Sequence, residues 1–259
     1  MQRSRLASAD LRVAWEERAS DFIAWARKPD HDSYWHFHRD RFVELVPPPG
    51  RKTLDLRCGE GRLSRDLKAL GHEMVAVDAS PTMLAAAREA DPELETHQAD
   101  AAALPFADNT FDCLVAFMSL QDIDDFEGAI TEASRVLEPG GRLCIAVVHP
   151  LNSAGRFHGD EADSPFTIEG SYLGRSFCAD DVAPDGLEIS FVSAHRPLQA
   201  HTEALSEARL VIERLREPAV PEFAISRPRS RRWQRVPLFL HLRAIKPLAV
   251  EYGGLGSSC

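Results

Sequence analysis

The stretch from Thr53 to Leu67, TLDLRCGEGRLSRDL, constrains the fold of this chain more than any other segment. Thr53, Leu54, Asp55 and Leu56 form a short apolar run with one carboxylate in it, long enough for a buried strand. Cys58, Gly59, Glu60 and Gly61 read as a tight turn. From Arg62 onward, leucines at 63, 67 and 70 have the spacing of a one-faced helix. Strand, turn and helix bring bare backbone and a helix N-terminus to one point, as ligand sites of α/β proteins do. Gly59 and Gly61 carry no Cβ, so a ligand can approach the main chain closely. The same turn also serves as a plain βα connection, so the segments that follow must decide.

The next apolar run, Glu73 to Asp78, ends in an acid about 20 residues after the turn, the spacing of a ribose-binding carboxylate. Asp78 could instead cap the following helix. Ser80 already suits that cap and Pro81 the first helical position, which leaves Asp78 free for a ligand. A nicotinamide dinucleotide site needs a third glycine, and counted from Gly59 that position holds Ser64.

With Asp55 two residues ahead of it, the turn resembles motif I of class I S-adenosylmethionine-dependent methyltransferases, D-x-G-x-G-x-G. The likeness continues in order through VAVDASPTML, HQADAAALPFADNTFDCLVAF and RVLEPGGRLCIAVVHP. It covers about residues 50–150, and the small-molecule branch with the ubiquinone and menaquinone biosynthesis enzymes is nearest. The resemblance implies an α/β, Rossmann-like seven-stranded sheet, ordered 3-2-1-4-5-7-6 with the last strand antiparallel. N-terminal helices and a lid insertion would accompany it. It implies S-adenosylmethionine as cofactor and methyl transfer to an O, N or C atom of a small-molecule acceptor. The cofactor-binding positions carried over are Asp55, Arg57, Cys58, Gly59, Gly61, Asp78, Ala79, Met83, Asp100, Ala101 and Phe117. Asp78 and Asp100 would position the nucleoside, and the glycine turn would take the methionine end. The pattern departs at Arg57, where the family has glycine. That cation would crowd the methionine end or pair with its carboxylate, unless the backbone there is extended and the side chain points away.

The rest of the chain is read around this centre. Residues 10–46 suggest two helices, one with Trp15, Ala19, Phe22 and Ala26 on a face, the other with Trp35, His38, Phe42 and Leu45. His31, His36 and His38 lack the companions of a metal site, so none is expected. Strands are expected at Leu94 to Ala99, Thr110 to Phe117 and Arg142 to Val148. The helix from about Asp125 to Leu137 should be stopped by Pro139, Gly140 and Gly141. His149, at a strand tip near the expected acceptor, is the candidate proton acceptor; a loop hydrogen bond is its alternative. The segments divide as an N-terminal helical cap (1–46), the cofactor-binding core (47–150), a substrate-lid insertion (151–197), the C-terminal part of the sheet (198–250) and a disordered tail (251–259). A short strand, Leu187 to Val192, is expected in the lid. Helix Gln199 to Arg209 and strands Leu210 to Leu215 and Pro237 to Ile245 complete the sheet. The arginines between Arg227 and Arg235 would hold an anionic group or stay solvated.

A net charge of −10 over 259 residues argues against nucleic-acid and anionic-membrane partners, which need a basic face. No run approaches ~18 apolar residues, and the first twenty residues lack the apolar core of a secretory leader. Five cysteines, two in expected core strands, fit reduced thiols and a cytoplasmic location. A homo-oligomer is left open. Two rivals stand beside methyl transfer: a non-catalytic S-adenosylmethionine-binding homologue impaired by Arg57, and a nucleotide-dependent oxidoreductase.

Overall fold

A computed structural model describes residues 2–30, 32–183, 186–225 and 228–248. The chain begins with β1 (Gln2–Leu6), α1 (Leu11–Glu17), α2 (Ala19–Arg27), a π-helical turn (Tyr34–His38) and α3 (Arg39–Val43). Then come β2 (Thr53–Leu56), α4 (Arg62–Ala69), β3 (Met74–Asp78), α5 (Pro81–Ala90), β4 (Glu95–Gln98), β5 (Phe111–Phe117), α6 (Phe126–Val136) and β6 (Leu137–Val148). After these follow α7 (Pro150–Ala154), β7 (Gly155–Phe157), β8 (Phe166–Ile168), β9 (Ser176–Val182), β10 (Ile189–His195), α8 (Leu198–Glu207), β11 (Val211–Arg216) and β12 (Phe239–Ile245).

Seven strands form the main sheet in the order β11-β12-β6-β5-β2-β3-β4. Neighbours from β6 to β4 pair in parallel, and β12 runs antiparallel to both β6 and β11. Numbered within the sheet, this is the 3-2-1-4-5-7-6 order that the resemblance implied. The strands are apolar on both faces because helices cover both. Leu54, Leu56, Val75 and Val77 pack with α6 and α8, whereas Met74 and Ala76 face Leu63 and Leu67 of α4 and Phe42 of α3. Side-chain alternation therefore turns the carboxyl tips of β2, β3 and β5 into one edge flanked by two helical layers.

Three expectations are corrected. The run Pro139, Gly140, Gly141 does not separate helix from strand, because β6 already starts at Leu137. Leu137 pairs with Phe111 and Arg142 with Cys113, so the extra residues sit in a register shift within one strand. The second N-terminal helix does not present Trp35 inward. Its first turn is π-helical, with Arg39 N–H donating to Tyr34 O, and this wider turn rotates Tyr34 and Phe37 into the core instead. The N-terminal part is not helical throughout: β1 leaves it and joins residues 151–197.

That segment holds α7, the β7–β8 hairpin, β9 and β10, the last displaced to Ile189–His195 from the expected Leu187 to Val192. β1 pairs with β9 and β9 with β10, all antiparallel, to make a separate three-stranded sheet. Arg3 pins it by pairing with Asp180 at 2.6 Å and donating to Asn152 O and Gly155 O. Leu11 of α1 packs beneath it with Ala179, Val192 and Ala194. Among the described residues no helix is long and apolar enough to cross a membrane, and no group of three metal-ligating side chains occurs. The expected tail and His31 lie outside the described residues.

Candidate functional site

The turn after β2 is built as its residues demand. Gly59 and Gly61 have φ of +59° and +79°, the left-handed region that glycine enters without cost. Gly61 leads directly into α4, while Gly59 faces the cavity described below. Gly59 N–H donates to Asp78 Oδ2 at 2.9 Å, and Ser80 N–H to Asp78 Oδ1 at 2.9 Å. Ser80 caps α5, accepting from Met83 N–H, as expected. Asp78 is nonetheless not free: it ties the glycine turn to the tip of β3, and only its remaining lone pairs face outward. Asp55 accepts from Ser64 Oγ at 2.6 Å. The position where a dinucleotide site would carry its third glycine therefore anchors the strand's carboxyl instead.

Arg57 also differs from expectation. Its φ is +62°, not extended, so the side chain does not simply point away. The position keeps the conformation for which glycine is suited, at a strain of about 1–2 kcal/mol for any side chain. Met118, just past β5, has φ +54°. Two left-handed non-glycine residues thus sit at neighbouring strand tips, where strain collects at functional sites.

Two cavities open at this edge. The larger, with about 1770 Å³ of empty space, is lined by Asp55, Cys58, Gly59, Met83 and Phe117 from the core, and by Trp15, Phe22, Trp25, Tyr34, Phe191, Trp233 and Phe239 around them. It has room for a small organic molecule. The smaller, with about 1030 Å³ of empty space, is lined by Val77, Ala79, Ala99, Asp100, Ala101 and the segment from Asp122 to Asp125. Arg57, Asp78 and Asp122 belong to both. The turn and strand-tip residues singled out in the sequence are therefore divided between two adjoining chambers. Asp100 stands exposed at the rim of the smaller one, where its Oδ1 accepts from Ala102 N–H.

Burial governs the electrostatics. It lifts the Asp55 carboxyl to about 7, with Ser64 pulling down and Asp78 pushing further up. It raises Asp78 too, against the Arg57 guanidinium and the backbone N–H groups of Ser80 and Gly59. The Cys58 thiol is held well up for the same reason. Asp122, which sequence reasoning passed over, is held at about 8 by burial, opposed first by Arg57 and then by Arg196. The signal available was a carboxylate between buried Leu120 and Ile123, just beyond the β5 tip. Arg196 fixes that turn by donating to Leu120 O at 3.3 Å and Ile123 O at 2.7 Å, its guanidinium over the Phe126 ring.

Other candidates lie elsewhere. His149 does not line the cavity, which corrects the expectation that it faces the acceptor. Its Nδ1 accepts from Leu151 N–H to cap α7, and its Nε2 lies 2.8 Å from Glu217. Arg231 pairs with Glu222, Arg232 with Asp160 at 2.7 Å, and Arg235 donates to Ala162 O and Ser164 O. These three guanidinium groups fasten their loop to the β7–β8 hairpin and Glu222. His38 meets His241 at 2.9 Å, Nε2 to Nε2, and stacks on Phe239. Tyr34 lines the cavity with its ring under the Arg62 guanidinium, and its hydroxyl donates to Asp66.

The comparisons with known proteins fall on the same residues. The chain matches the methyltransferase domain family over residues 54–145, from within β2 to within β6. Residues 54–145 are a methyltransferase domain. The demethylmenaquinone methyltransferase of Corynebacterium urealyticum is 39% identical over 115 residues, 44% of this chain and 48% of that protein. That of Mycobacterium sp. (strain JLS) is 37% identical over 138 residues, 50% of this chain and 58% of that protein. The chain thus spans about half the length of the curated relatives it matches. The fold extends further. The S-adenosylmethionine-dependent methyltransferase of Mesorhizobium loti superposes with a TM-score of 0.68 at 23% identity, over 83% of this chain and 99% of the other.

The Mesorhizobium loti neighbour is named for S-adenosylmethionine, and the residues present here fit that cofactor. The smaller chamber offers Asp100 and small Ala79 and Ala101 for a flat base, and Asp78 lies between the chambers. In the wall of the larger chamber, Gln121 Oε1 and Asn152 Oδ1 are buried acceptors without a partner among the described residues.

Proposed function

We propose that this chain transfers a methyl group from S-adenosylmethionine to an O, N or C atom of a small aromatic acceptor. The observation that carries the reading is the pair of chambers joined at Arg57, Asp78 and Asp122. The nucleoside would occupy the smaller and the acceptor the larger, aromatic one. A quinone-type acceptor belongs to the proposal, prompted by relatives named for demethylmenaquinone.

The cofactor, when bound, supplies an electrophilic methyl group on a sulfonium. The residues of this chain bind, orient and exclude water. Asp78 would accept from the ribose hydroxyls with the lone pairs left by Gly59 and Ser80, and Asp100 from the adenine amine. The small side chains of Ala79 and Ala101 would leave room for the base, and the Gly59 backbone would meet the methionine end. Phe191 of the lid sheet packs edge-on against Trp25 at 5.5 Å and tilts onto Trp15 at 6.2 Å, covering the larger chamber with apolar surface. Alignment in such an enclosure supplies much of the rate when the donor is already activated. Residues 151–197, with β1, would act as the lid. Cys58, Cys113, Cys144 and Cys178 are free thiols, which supports a cytoplasmic location.

The test has two steps. Calorimetric titration of S-adenosylmethionine and S-adenosylhomocysteine should show binding of both in the micromolar range (about −8 kcal/mol). Incubation with methyl-labelled cofactor and reduced demethylmenaquinone, beside a panel of hydroxyaromatic compounds, should then move label into product. Absence of binding by either cofactor form would sink the proposal.

A further inference from the structure

The wall between the chambers carries a carboxyl that no motif announces. Asp122 closes the short turn Leu120–Asp122 and lines both chambers while only 7% exposed. Gln121, beside it, donates through Nε2 to Met118 O at 2.7 Å and to Asp122 Oδ2 at 3.5 Å, which leaves Oε1 as an unpartnered acceptor. Asn152 on α7 likewise donates through Nδ2 to Leu238 O and keeps a buried Oδ1 without a partner. Both residues line the larger chamber. Asp122, Gln121 and Asn152 thus add oxygen acceptors to a chamber rich in aromatic side chains, which favours a flat ligand that brings O–H or N–H donors.

Resting on the methyltransferase reading, we infer that Asp122 takes the proton of the acceptor's reacting O–H or N–H group. Gln121 and Asn152 receive its other donors, so the acceptor class is a hydroxyaromatic compound or an aromatic amine. The balance is complete: the acceptor bonds to the methyl carbon, the carbon–sulfur bond breaks with its pair left on sulfur, and the acceptor's proton ends on Asp122. No other reactant is needed.

The surroundings of Asp122 make its ionisation respond to the cofactor. Arg57 from the turn after β2 and Arg196 from beyond β10 favour the carboxylate. Asp78 shares the wall, Cys178 faces it from β9, Asp124 and Asp125 follow on its own segment, and the Trp15 indole reaches it from α1. Burial outweighs both arginines and holds the carboxyl at about 8. At pH 7 the protonated form therefore predominates. A sulfonium at the shared wall favours the charged form and expels that proton, which readies the carboxylate for the acceptor's. The neutral thioether product leaves it in place.

The experiment is calorimetry of the full chain at pH 7 in buffers of different ionisation enthalpy, with S-adenosylmethionine and S-adenosylhomocysteine as probes. S-adenosylmethionine should release about 0.5–0.9 proton and S-adenosylhomocysteine at least about threefold less. D122N should still bind S-adenosylhomocysteine but lose the difference, and D122E should restore it. Equal release by the two ligands in the wild type overturns the inference, whether or not D122N folds. So does release that persists in D122N, which would move the proton to Asp55 or Asp78. Either result leaves the methyltransferase reading intact, whereas failure of both ligands to bind the wild type removes both.

Discussion

Asp55→Asn is expected to make the protein more stable at neutral and alkaline pH. Asp55 is 2% exposed in the middle of β2, and its carboxyl accepts one hydrogen bond, from Ser64 Oγ. Burial carries it from 3.8 in the open chain to about 7 in the fold, with Asp78 adding to the rise. A group raised by folding contributes stability that is fully present below about pH 3.8 and is lost as the pH climbs through 7. Each pH unit in that window is worth about 1.4 kcal/mol, so the whole loss approaches 4 kcal/mol as an upper bound. Asparagine has the same shape, keeps an oxygen for Ser64 and has no charge to desolvate. Urea unfolding followed by tryptophan fluorescence, from pH 4.5 to 8.5, gives the difference directly. The variant's advantage should grow from pH 4.5 to 7 and reach a plateau of about 2–4 kcal/mol. A gap that stays constant with pH, or shrinks as pH rises, would refute the argument that a buried carboxyl carries this cost.

Other expectations follow from the same geometry. Arg57→Gly relieves the left-handed backbone and adds chain entropy, for a net stability change within about 1 kcal/mol. It should tighten S-adenosylmethionine several-fold more than S-adenosylhomocysteine in calorimetry, because only the sulfonium is repelled; equal losses for both would mean that Arg57 holds the cofactor's carboxylate. Gly61→Ala places a Cβ at φ +79° and 3.2 Å from Ala87 Cβ, so a loss of about 1–3 kcal/mol is expected in denaturant melts. An unchanged midpoint would contradict that turn geometry. Arg196→Met leaves Leu120 O and Ile123 O without their donor inside the protein. It should cost about 2–4 kcal/mol and weaken cofactor binding through the displaced Asp122 turn. Wild-type affinity in a folded R196M protein would show that the turn holds itself.

What was legible in the sequence is what short stretches settle by themselves. An apolar run, two glycines and leucines at helical spacing define β2, its turn and α4, because strand period, left-handed glycine and helix face are all local properties. The Ser80 cap with Pro81, the acid at the tip of β3 and the order of the motifs are of the same kind, and they sufficed for the fold class. Tertiary structure decided the rest. Arg3 meets Asp180 across 177 residues of chain, and no periodicity near either end forecasts that pairing. Arg57 takes glycine's conformation because the turn between β2 and α4 requires it, whatever side chain stands there. Tyr34 replaces Trp35 in the core because one π turn rotates a face that a regular helix would have kept. His149 was read as a proton acceptor from its place at a strand tip, but Leu151 N–H and Glu217 claim its two nitrogens. Asp122 had no motif. Its character comes from the desolvation and the two arginines that packing brings around it, and a carboxyl's affinity for a proton is set by what surrounds it in space.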